Sequence, residues 1–325
     1  MKFLITGITG FAGPHLARLL VDEGHETHGL TRQTNGMETD ILDVLNPETY
    51  EAINFQYADL TDYRSLRDLF EEEPFDGIFH LAAQSHPPSS FKNPLDTYRT
   101  NVTGSVTLGQ AIEDSTQDPK IMFCSTSEVY GNSGKDGHTI REDEPLTPSN
   151  PYGSSKAAVD LHFQERFSNE KLNGFITRAF SHTGPRRGRT FSISSDAFQL
   201  ANIKINGLAA NLLVGNLSTT RVVMDVRDTV RAYYQLMICP TSSGQVYNIC
   251  GDHPREMSFF TEKLIEISGL DDVRMVKHEP FWRPHEIYYQ HGSMEKAKQE
   301  IDFTEEFEIE RTLSDLLGYW ERKLS

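Results

Sequence analysis

The stretch Lys2–Gly13 reads KFLITGITGFAG: a short apolar run is followed at once by three glycines spaced G-x-x-G-x-x-G. The run Lys2–Thr6 predicts a buried strand, and the apolar periodicity of Pro14–Glu23, which ends at Gly24, predicts a helix. Glycines at such a junction allow a tight turn and let the backbone approach a diphosphate at the positive end of the helix. The position of the motif between strand and helix favours this interpretation over a purely structural turn.

Strand and helix patterns alternate over about the first 180 residues. Further strands are predicted at Glu26–Thr31, Phe55–Ala58, Asp76–Leu81, Lys120–Ser125, Gly174–Ala179 and Gln245–Ile249. Further helices are predicted at Tyr63–Glu73, Asn101–Asp114, Pro151–Lys171 and Ser258–Gly269. The alternation predicts an α/β fold of Rossmann type, with a doubly wound parallel sheet and a smaller, less regular C-terminal lobe. The segment 132–150 is rich in turn-forming residues, which predicts a loop over an active site.

The composition argues against several classes of protein. The chain has 325 residues, 37% of them hydrophobic, and its 31 basic and 47 acidic residues give a net charge of -16. This charge disfavours nucleic acid as a partner, because a phosphate backbone requires a basic face. No apolar run is long enough to span a membrane, and the three cysteines (Cys124, Cys239 and Cys250) are too scattered for disulfides or a metal site. We therefore expect a cytoplasmic protein that binds no metal.

The end of the second strand bears on the choice of cofactor. An acidic residue there would bind the ribose hydroxyl of NAD, but the sequence reads Leu30-Thr31-Arg32-Gln33. Arg32 suits a 2′-phosphate, which favours NADP; the alternative is an ordinary solvated arginine. Asp59 and Leu60 follow the third strand and are expected beside the adenine, although Asp59 could equally cap the next helix.

A tyrosine and a lysine are candidate catalytic groups. Tyr152 and Lys156 lie four residues apart at the start of a predicted helix, and hence on one face. A lysine ammonium beside a phenol favours the phenolate, so that Tyr152 could exchange a proton near neutral pH. The Ser/Thr-rich segment Ser125–Gly131 follows the fifth strand, at the sheet edge where such folds bind ligands.

Four strings resemble the extended short-chain dehydrogenase/reductase family: GITGFAG (Gly7–Gly13), LAAQS (Leu81–Ser85), STSEVYG (Ser125–Gly131) and PYGSSK (Pro151–Lys156). The resemblance covers roughly residues 1–185. It implies that Tyr152 is the catalytic acid/base, that Lys156 is its partner, and that Thr126 donates a hydrogen bond to the 4-oxygen of a sugar.

The same resemblance implies the cofactor site and the division of the chain. Residues 1–180 would form the NADP-binding domain, with 222–250 returning to it, while 181–221 and 251–325 would form a lobe that binds a nucleotide sugar. The implied NADP contacts are Gly7, Thr9, Gly10, Phe11, Ala12, Gly13, Arg32, Asp59, Leu60, Leu81, Ala82, Ala83, Ser85, Tyr152, Lys156, His182 and Arg187.

Glu128 narrows the reaction within this family. In its sugar dehydratases, a carboxylate at this position removes the C5 proton, which a C4 ketone makes acidic, and water leaves C6. The alternative is that Glu128 only binds a sugar hydroxyl. The string STSE also resembles that of UDP-glucuronate decarboxylases and some reductases.

Other strings resemble proteins that handle GDP-sugars. LAAQSH and Pro185–Gly188 (PRRG) are similar to GDP-mannose 4,6-dehydratases, Val214–Leu217 (VGNL) resembles both these and GDP-4-keto-6-deoxymannose reductases, and RPHE matches the reductases' nucleotide-sugar clamp. In that clamp Arg283 would take phosphate and Glu286 the guanine or ribose, unless the two form a helix-entry salt bridge. Arg221 could fork onto the diphosphate. The implied substrate contacts are Ser85, Ser127, Ser181, Asn216, Arg221, Arg283 and Glu286.

The chain departs from the family at Ser181, where Asn is usual, and at Val222–Met224, where an Asp and an aromatic residue are usual. The combined pattern predicts a GDP-sugar 4,6-dehydratase that acts on GDP-mannose or GDP-manno-heptose with internal hydride cycling through NADP. The alternatives are an NADPH-dependent reductase or an epimerase of a GDP-4-keto-6-deoxy sugar, and a non-catalytic NADP-sensing regulator. Family members commonly form homodimers or homotetramers, so the helices from Asn101 and Pro151 are expected at an interface.

Overall fold

A parallel sheet of seven strands forms the centre of the computed structural model, which describes residues 1–32, 41–282 and 285–325. The strands lie in the spatial order β3 (Ile53–Tyr57), β2 (Glu26–Thr31), β1 (Lys2–Thr6), β4 (Gly77–His80), β5 (Lys120–Thr126), β6 (Gly174–Ala179) and β10 (Val246–Ile249). The strand order reverses at β1, and sheets of this type bind ligands beyond the carboxyl ends of the strands at that point. The predicted α/β fold of Rossmann type is confirmed.

Helices cover both faces of the sheet. Side chains of α1 (Ala12–Asp22) and α9 (Val226–Ile238) belong to the apolar cluster on one face, and those of α3 (Tyr63–Glu72), α6 (Gly104–Glu113) and α7 (Pro151–Ser168) to the cluster on the other. Successive side chains of a strand point to opposite faces, so the fully buried Phe3 and Ile5 join the first cluster and Leu4 joins the second. Shorter helices occupy the connections: α2 (Pro47–Glu51), α4 (Pro87–Lys92) and α5 (Pro94–Tyr98).

A third apolar cluster organises the C-terminal lobe, where α8 (Ser192–Asn206), α10 (Met257–Ser268) and α12 (Ile309–Leu324) pack together. The expectation of a less regular region is wrong here, because α12 buries Leu313, Leu316 and Leu317 at helical spacing against this cluster. The remaining elements are β7 (Ser181–Thr183), β8 (Asn211–Val214), β9 (Thr220–Asp225), β11 (Pro254–Glu256), β12 (Arg274–Lys277), β13 (Tyr289–Gln290) and α11 (Glu295–Glu300).

Two predicted helices have different boundaries. The helix expected from Asn101 begins as a π-helical turn, Arg99–Thr103, and becomes α-helical only at α6. The helix that starts at Pro151 ends at Ser168, because Glu170 adopts a left-handed backbone (φ 53°) that a right-handed helix cannot contain. No helix among the described residues is both long and apolar enough to cross a membrane.

Candidate functional site

The glycine-rich turn between β1 and α1 is closely packed at two of its glycines. Gly7 has a left-handed backbone (φ 73°), and a Cβ at this position would lie 2.8 Å from the backbone nitrogen of Ala82. A Cβ at Gly13 would lie 2.6 Å from the Cα of Ile8, and the N–H of Gly10 donates to the carbonyl of Gly7 at 2.9 Å. The packing therefore requires glycine, and the turn places the first N–H groups of α1 at the edge of the sheet.

The segment after β4 is held against this turn through Thr6. The Thr6 Oγ1 accepts the N–H of Ala82 at 3.2 Å and lies 2.7 Å from Nδ1 of His80. The Nε2 of His80 lies 2.8 Å from the Oγ of Ser105, and burial lowers the pKa of His80 to about 3, so the ring is neutral. These contacts keep Leu81–Ala83, predicted to contact the cofactor, beside the turn.

Arg32 and Asp59 lie near each other at the ends of β2 and β3. The Asp59 carboxylate accepts the N–H and the hydroxyl of Thr61, both at 2.8 Å, and the backbone hydrogen bond together with the charge on Arg32 lowers its pKa. The alternative role of Asp59 as a helix cap is wrong, because Asp62 caps α3. Leu60 packs against the first residue of α6.

Phe11, His182 and Arg187 form a stacked group beside the turn. The rings of Phe11 and His182 are stacked with centroids 5.7 Å apart, and the guanidinium of Arg187 lies 4.7 Å from the Phe11 centroid. Burial and the charge on Arg187 lower the pKa of His182 to about 4, so its ring is neutral. Burial also lowers the pKa of Arg187 to about 10, and nearby Tyr152 opposes this, so the guanidinium stays charged at neutral pH.

Thr126, Glu128 and Asn150 connect β5 to the helix that carries the candidate tyrosine. The Thr126 hydroxyl accepts the N–H of Glu128 at 3.3 Å and lies near the phenol of Tyr152, whose pKa it lowers. Asn150 caps α7 by accepting the N–H of Gly153 at 2.8 Å, and its Nδ2 donates to Oε2 of Glu128 at 2.7 Å. A Cβ at Gly153 would lie 2.7 Å from the carbonyl oxygen of Glu128. One helix cap thus positions both the carboxylate and the tyrosine.

The charges around Tyr152 differ from the sequence-based expectation. Burial raises the pKa of the Tyr152 phenol above its usual value, and the Thr126 hydrogen bond and the charge on Arg187 oppose this rise. The Lys156 ammonium lies 4.2 Å from the centroid of Phe123, and burial lowers its pKa to about 8. Arg187 therefore adds a cation near the phenol that the sequence interpretation had not indicated, and the lowering of the Tyr152 pKa by Lys156 stays a prediction.

Asn101 is a buried polar residue that the sequence interpretation missed. Its Oδ1 accepts the N–H of Gln84 at 2.8 Å, while its Nδ2 donates to the Gln84 carbonyl at 3.1 Å and to the Oγ of Ser155 at 2.9 Å. These bonds join the π-helical turn, the segment after β4 and α7. In the sequence only a glycosylation-type string marks Asn101, whereas the helix cap Asn150 could have been found from the pair Asn150-Pro151.

Two of the predicted substrate residues bind each other. The NH2 of Arg221 lies 3.6 Å from Oε1 of Glu286, and both side chains are largely buried, with 11% and 14% exposure. Arg221 also donates to the carbonyl oxygens of Thr220 at 2.8 Å and Ile287 at 2.6 Å. The salt bridge weighed for Glu286 thus forms with Arg221 on β9. Arg283, the predicted phosphate ligand, lies outside the described residues.

The remaining predicted substrate residues lie after β4, after β5, in β7 and between β8 and β9. Ser85 is exposed, Ser181 is half-buried in β7, and Ser127 is buried, with its carbonyl accepting Nε2 of Gln290 at 3.0 Å. Asn216 forms a local turn in which its Oδ1 accepts the N–H of Ser218 at 3.1 Å. Of this group, Ser85 has the most accessible side chain.

Comparison with known proteins identifies the family. The family model described as GDP-mannose 4,6 dehydratase matches residues 4–316. The chain belongs to this family. The resemblance to extended short-chain dehydrogenases/reductases that the four motifs indicated is confirmed.

Characterised relatives in this family include two kinds of enzyme. The chain is 29% identical to GDP-6-deoxy-D-mannose reductase of Pseudomonas aeruginosa, over 99% of this chain and 98% of the relative. It is 27% identical to GDP-mannose 4,6-dehydratase of Yersinia enterocolitica, over 98% of this chain and 93% of the relative. Among solved structures, RMD from Pseudomonas aeruginosa complexed with NADPH superposes with a TM-score of 0.82 at 26% identity, covering 99% of this chain and 100% of that chain.

Proposed function

We propose that this protein is a GDP-sugar 4,6-dehydratase that holds NADP and converts GDP-mannose or GDP-manno-heptose to a 4-keto-6-deoxy sugar. The observation that carries the proposal is the 2.7 Å hydrogen bond from Asn150 to Glu128. This bond supports a role for Glu128 as the base that elimination requires, because Asn150 also caps the helix of Tyr152. A reductase needs only a proton donor at this position, whereas a dehydratase needs a second group that removes the C5 proton.

The residues present fit a dinucleotide. The close packing of Gly7 and Gly13 leaves the turn free of side chains on its approach to the N-terminus of α1, which suits a diphosphate. Arg32 at the end of β2 suits a 2′-phosphate, and the similar Pseudomonas structure contains NADPH. The bound nicotinamide would supply the hydride acceptor for C4 and the hydride donor for C6.

In the proposed reaction each side chain has one task. Tyr152 takes the proton from the 4-hydroxyl, with Thr126 hydrogen-bonded to the same oxygen. Glu128 then takes the proton from C5, which the C4 ketone makes acidic, and that proton leaves with the C6 hydroxyl as water. C5 regains a proton when C6 gains hydride, and the proton that Tyr152 took from the 4-hydroxyl balances this gain. The charge of Arg187 favours the phenolate of Tyr152 that accepts this proton, and Lys156 would act in the same direction. Arg221, Arg283 and Glu286 would bind the nucleoside diphosphate. The ion pair between Arg221 and Glu286 would face this ligand.

The test is incubation of the purified protein with GDP-mannose and with GDP-manno-heptose, without added NADPH. A 4-keto-6-deoxy product should accumulate over many turnovers, and deuterium placed at C4 should appear at C6. Glu128→Gln should retain cofactor and lose about a hundredfold or more in kcat. The matched control is Glu144→Gln, which changes a carboxylate in the neighbouring loop that pairs with His138. If neither sugar yields a ketone, the proposal is contradicted.

A second function, reduction of a GDP-4-keto-6-deoxy sugar, is favoured by the 29% identity to the Pseudomonas reductase over nearly the whole of both chains. It predicts that one NADPH is consumed for each keto sugar reduced, and that Glu128→Gln leaves the rate nearly unchanged. An epimerase would instead interconvert two sugars without net loss of water or NADPH. Measurement of NADPH consumption with each substrate separates these reactions.

A further inference from the structure

Arg186 contacts the glycine-rich turn through the carbonyl oxygens of the turn. Its Nε donates to the carbonyl of Gly10 and its NH2 to the carbonyl of Thr9, each at 3.0 Å. Its NH1 forms an ion pair with Oδ1 of Asp43 at 2.6 Å, and its side chain is 13% exposed. A single guanidinium thus holds two consecutive carbonyls of the turn together with one carboxylate. The sequence had indicated the neighbouring Arg187 instead.

The carbonyl contacts also set the direction of an N–H group on the other side of the turn. A trans peptide directs its N–H opposite to its carbonyl. The carbonyl of Gly10 and the N–H of Phe11 belong to one peptide, and Phe11 occupies the N-cap position of α1. When Arg186 holds that carbonyl, the N–H of Phe11 points to the opposite side of the turn. Arg186 therefore fixes the direction of this N–H through the backbone.

Asp43 extends this contact to the last helix of the chain. Its Oδ2 accepts the hydroxyl of Tyr319 at 2.7 Å and pairs with the ammonium of Lys323 at 3.2 Å, and both partners belong to α12. Arg186 itself keeps a left-handed backbone (φ 73°), which is strained for any residue other than glycine. The structure thus maintains an unfavourable backbone at the residue whose side chain reaches the turn.

We propose that Arg186 is a positioning residue for the cofactor diphosphate, and that Asp43 and Tyr319 couple its position to α12. The inference rests on the dinucleotide part of the proposed function and is independent of the sugar. It concerns the diphosphate, which NADPH and NADH share. Loss of the Arg186 contacts therefore weakens both dinucleotides by the same factor.

The first experiment measures the Kd of NADPH and NADH by fluorescence titration of the full-length protein. Arg186→Met should raise both Kd values about tenfold, as expected from the loss of a charge-assisted hydrogen bond, and Arg186→Lys should show a smaller rise. Arg189→Met is the matched control, because this exposed arginine of the same loop stacks on Phe198 instead of the turn. An NADPH Kd within twofold of wild type would overturn the proposal. So would a loss at least tenfold greater for NADPH than for NADH, which would indicate direct contact with the 2′-phosphate.

The second experiment tests the coupling to α12 with a double-mutant cycle. Tyr319→Phe removes one hydrogen bond to Asp43 and should raise the Kd of NADPH about threefold in the wild-type background. In the Arg186→Met background the same substitution should have no further effect on the Kd, because no side chain then connects Asp43 to the turn. Additive effects would overturn the coupling. Should Arg186→Met fail to fold, an unchanged Kd in both Tyr319→Phe and Asp43→Asn would overturn the proposal.

A third measurement separates positioning from a general loss of structure. In Arg186→Met, amide hydrogen exchange should become faster at residues 10–13, while the thermal midpoint and the Kd of GDP stay close to wild type. Exchange that rises throughout the chain would overturn the proposal in favour of a structural role. Because these readouts need no turnover, inactivity toward GDP-mannose would refute the proposed reaction and leave this inference standing.

Discussion

The hydrogen bonds of Asn150 beside Tyr152 join residues within 22 positions of each other, whereas Arg221 bonds a residue 66 positions away. Asn150 caps the helix of Tyr152 and also bonds Glu128, 22 positions earlier. Arg221, by contrast, bonds the carbonyl of Ile287, 66 positions later, and pairs with Glu286. The Asn150 cap therefore joins Glu128 to the helix of Tyr152, while the candidate substrate arginine depends on how the lobe folds back onto β9.

The helix of Tyr152 and the C-terminal lobe also stabilise their buried carboxylates by different contacts. Asp160, on α7, is fully buried and receives a two-pronged ion pair from Arg178, with both contacts at 3.0 Å. Asp196, on α8 in the lobe, is 3% exposed and accepts the hydroxyl of Thr261 at 2.7 Å. Burial raises the pKa of Asp196 to about 7. A hydroxyl offsets the cost of burying a carboxylate less well than a guanidinium does, so the lobe contains a carboxyl group that is about half protonated in neutral solution.

The largest expected effect lies in the catalytic region. Tyr152→Phe should lower kcat about a thousandfold, because it removes the group that exchanges the proton of the 4-hydroxyl, and it should leave the Kd of NADPH within a few-fold of wild type. Steady-state kinetics and fluorescence titration measure the two quantities. Tyr234→Phe is the control, since its hydroxyl bonds His25 on the far side of the fold. A loss below tenfold in Tyr152→Phe would contradict the assignment.

The pH dependence of the free energy of unfolding should distinguish the buried carboxylate of the lobe from that of the sheet region. The folded pKa of Asp196, about 7, exceeds the value of about 3.9 for an unfolded chain, so its contribution to stability is complete below about pH 4 and is lost as the pH rises to about 7. The difference amounts to roughly 4 kcal/mol at most. Asp196→Asn should therefore be more stable relative to wild type at pH 8 than at pH 5.

Urea unfolding at the two pH values provides this measurement. Asp22→Asn, at an exposed position of α1, is the control and should shift the free energy of unfolding equally at both. Equal shifts for Asp196→Asn would show that Asp196 is ionised in the native state at both pH values.

The smallest expected effect concerns the Arg221–Glu286 pair. Arg221→Met should raise the KM for the GDP-sugar about tenfold and change kcat little, since it removes a contact to the nonreacting diphosphate. Glu286→Gln should raise the KM for GDP-mannose if Glu286 binds the nucleoside. A lower KM would instead show that Glu286 competes with the diphosphate for Arg221. The long-range contacts of Arg221 would then hinder substrate binding, in contrast to the Asn150 contacts beside Tyr152.

Most of the sheet half could be predicted from the sequence. Strands β1, β2 and β6 have the predicted bounds, because each is a short apolar or β-branched run between turn signals. The C-terminal helices were mostly missed, since the amphipathic pattern of α12 is distributed among many charged residues. The candidate catalytic positions lie together at the end of β5 and the start of α7. The side chains that hold them, Asn101 and Asn150, were not predicted.

The sequence by itself determined the α/β fold, the glycine-rich turn and the position of Tyr152 and Lys156 four residues apart on one helix. Each depends on spacing along the chain, where the periods of strand and helix determine which residues share a face. Only the tertiary structure brought the charge of Arg187 near the Tyr152 phenol and showed that Arg186 holds the turn through its carbonyls. The cause is physical: burial and long-range ion pairs set pKa values and backbone orientation, and neither depends on sequence spacing.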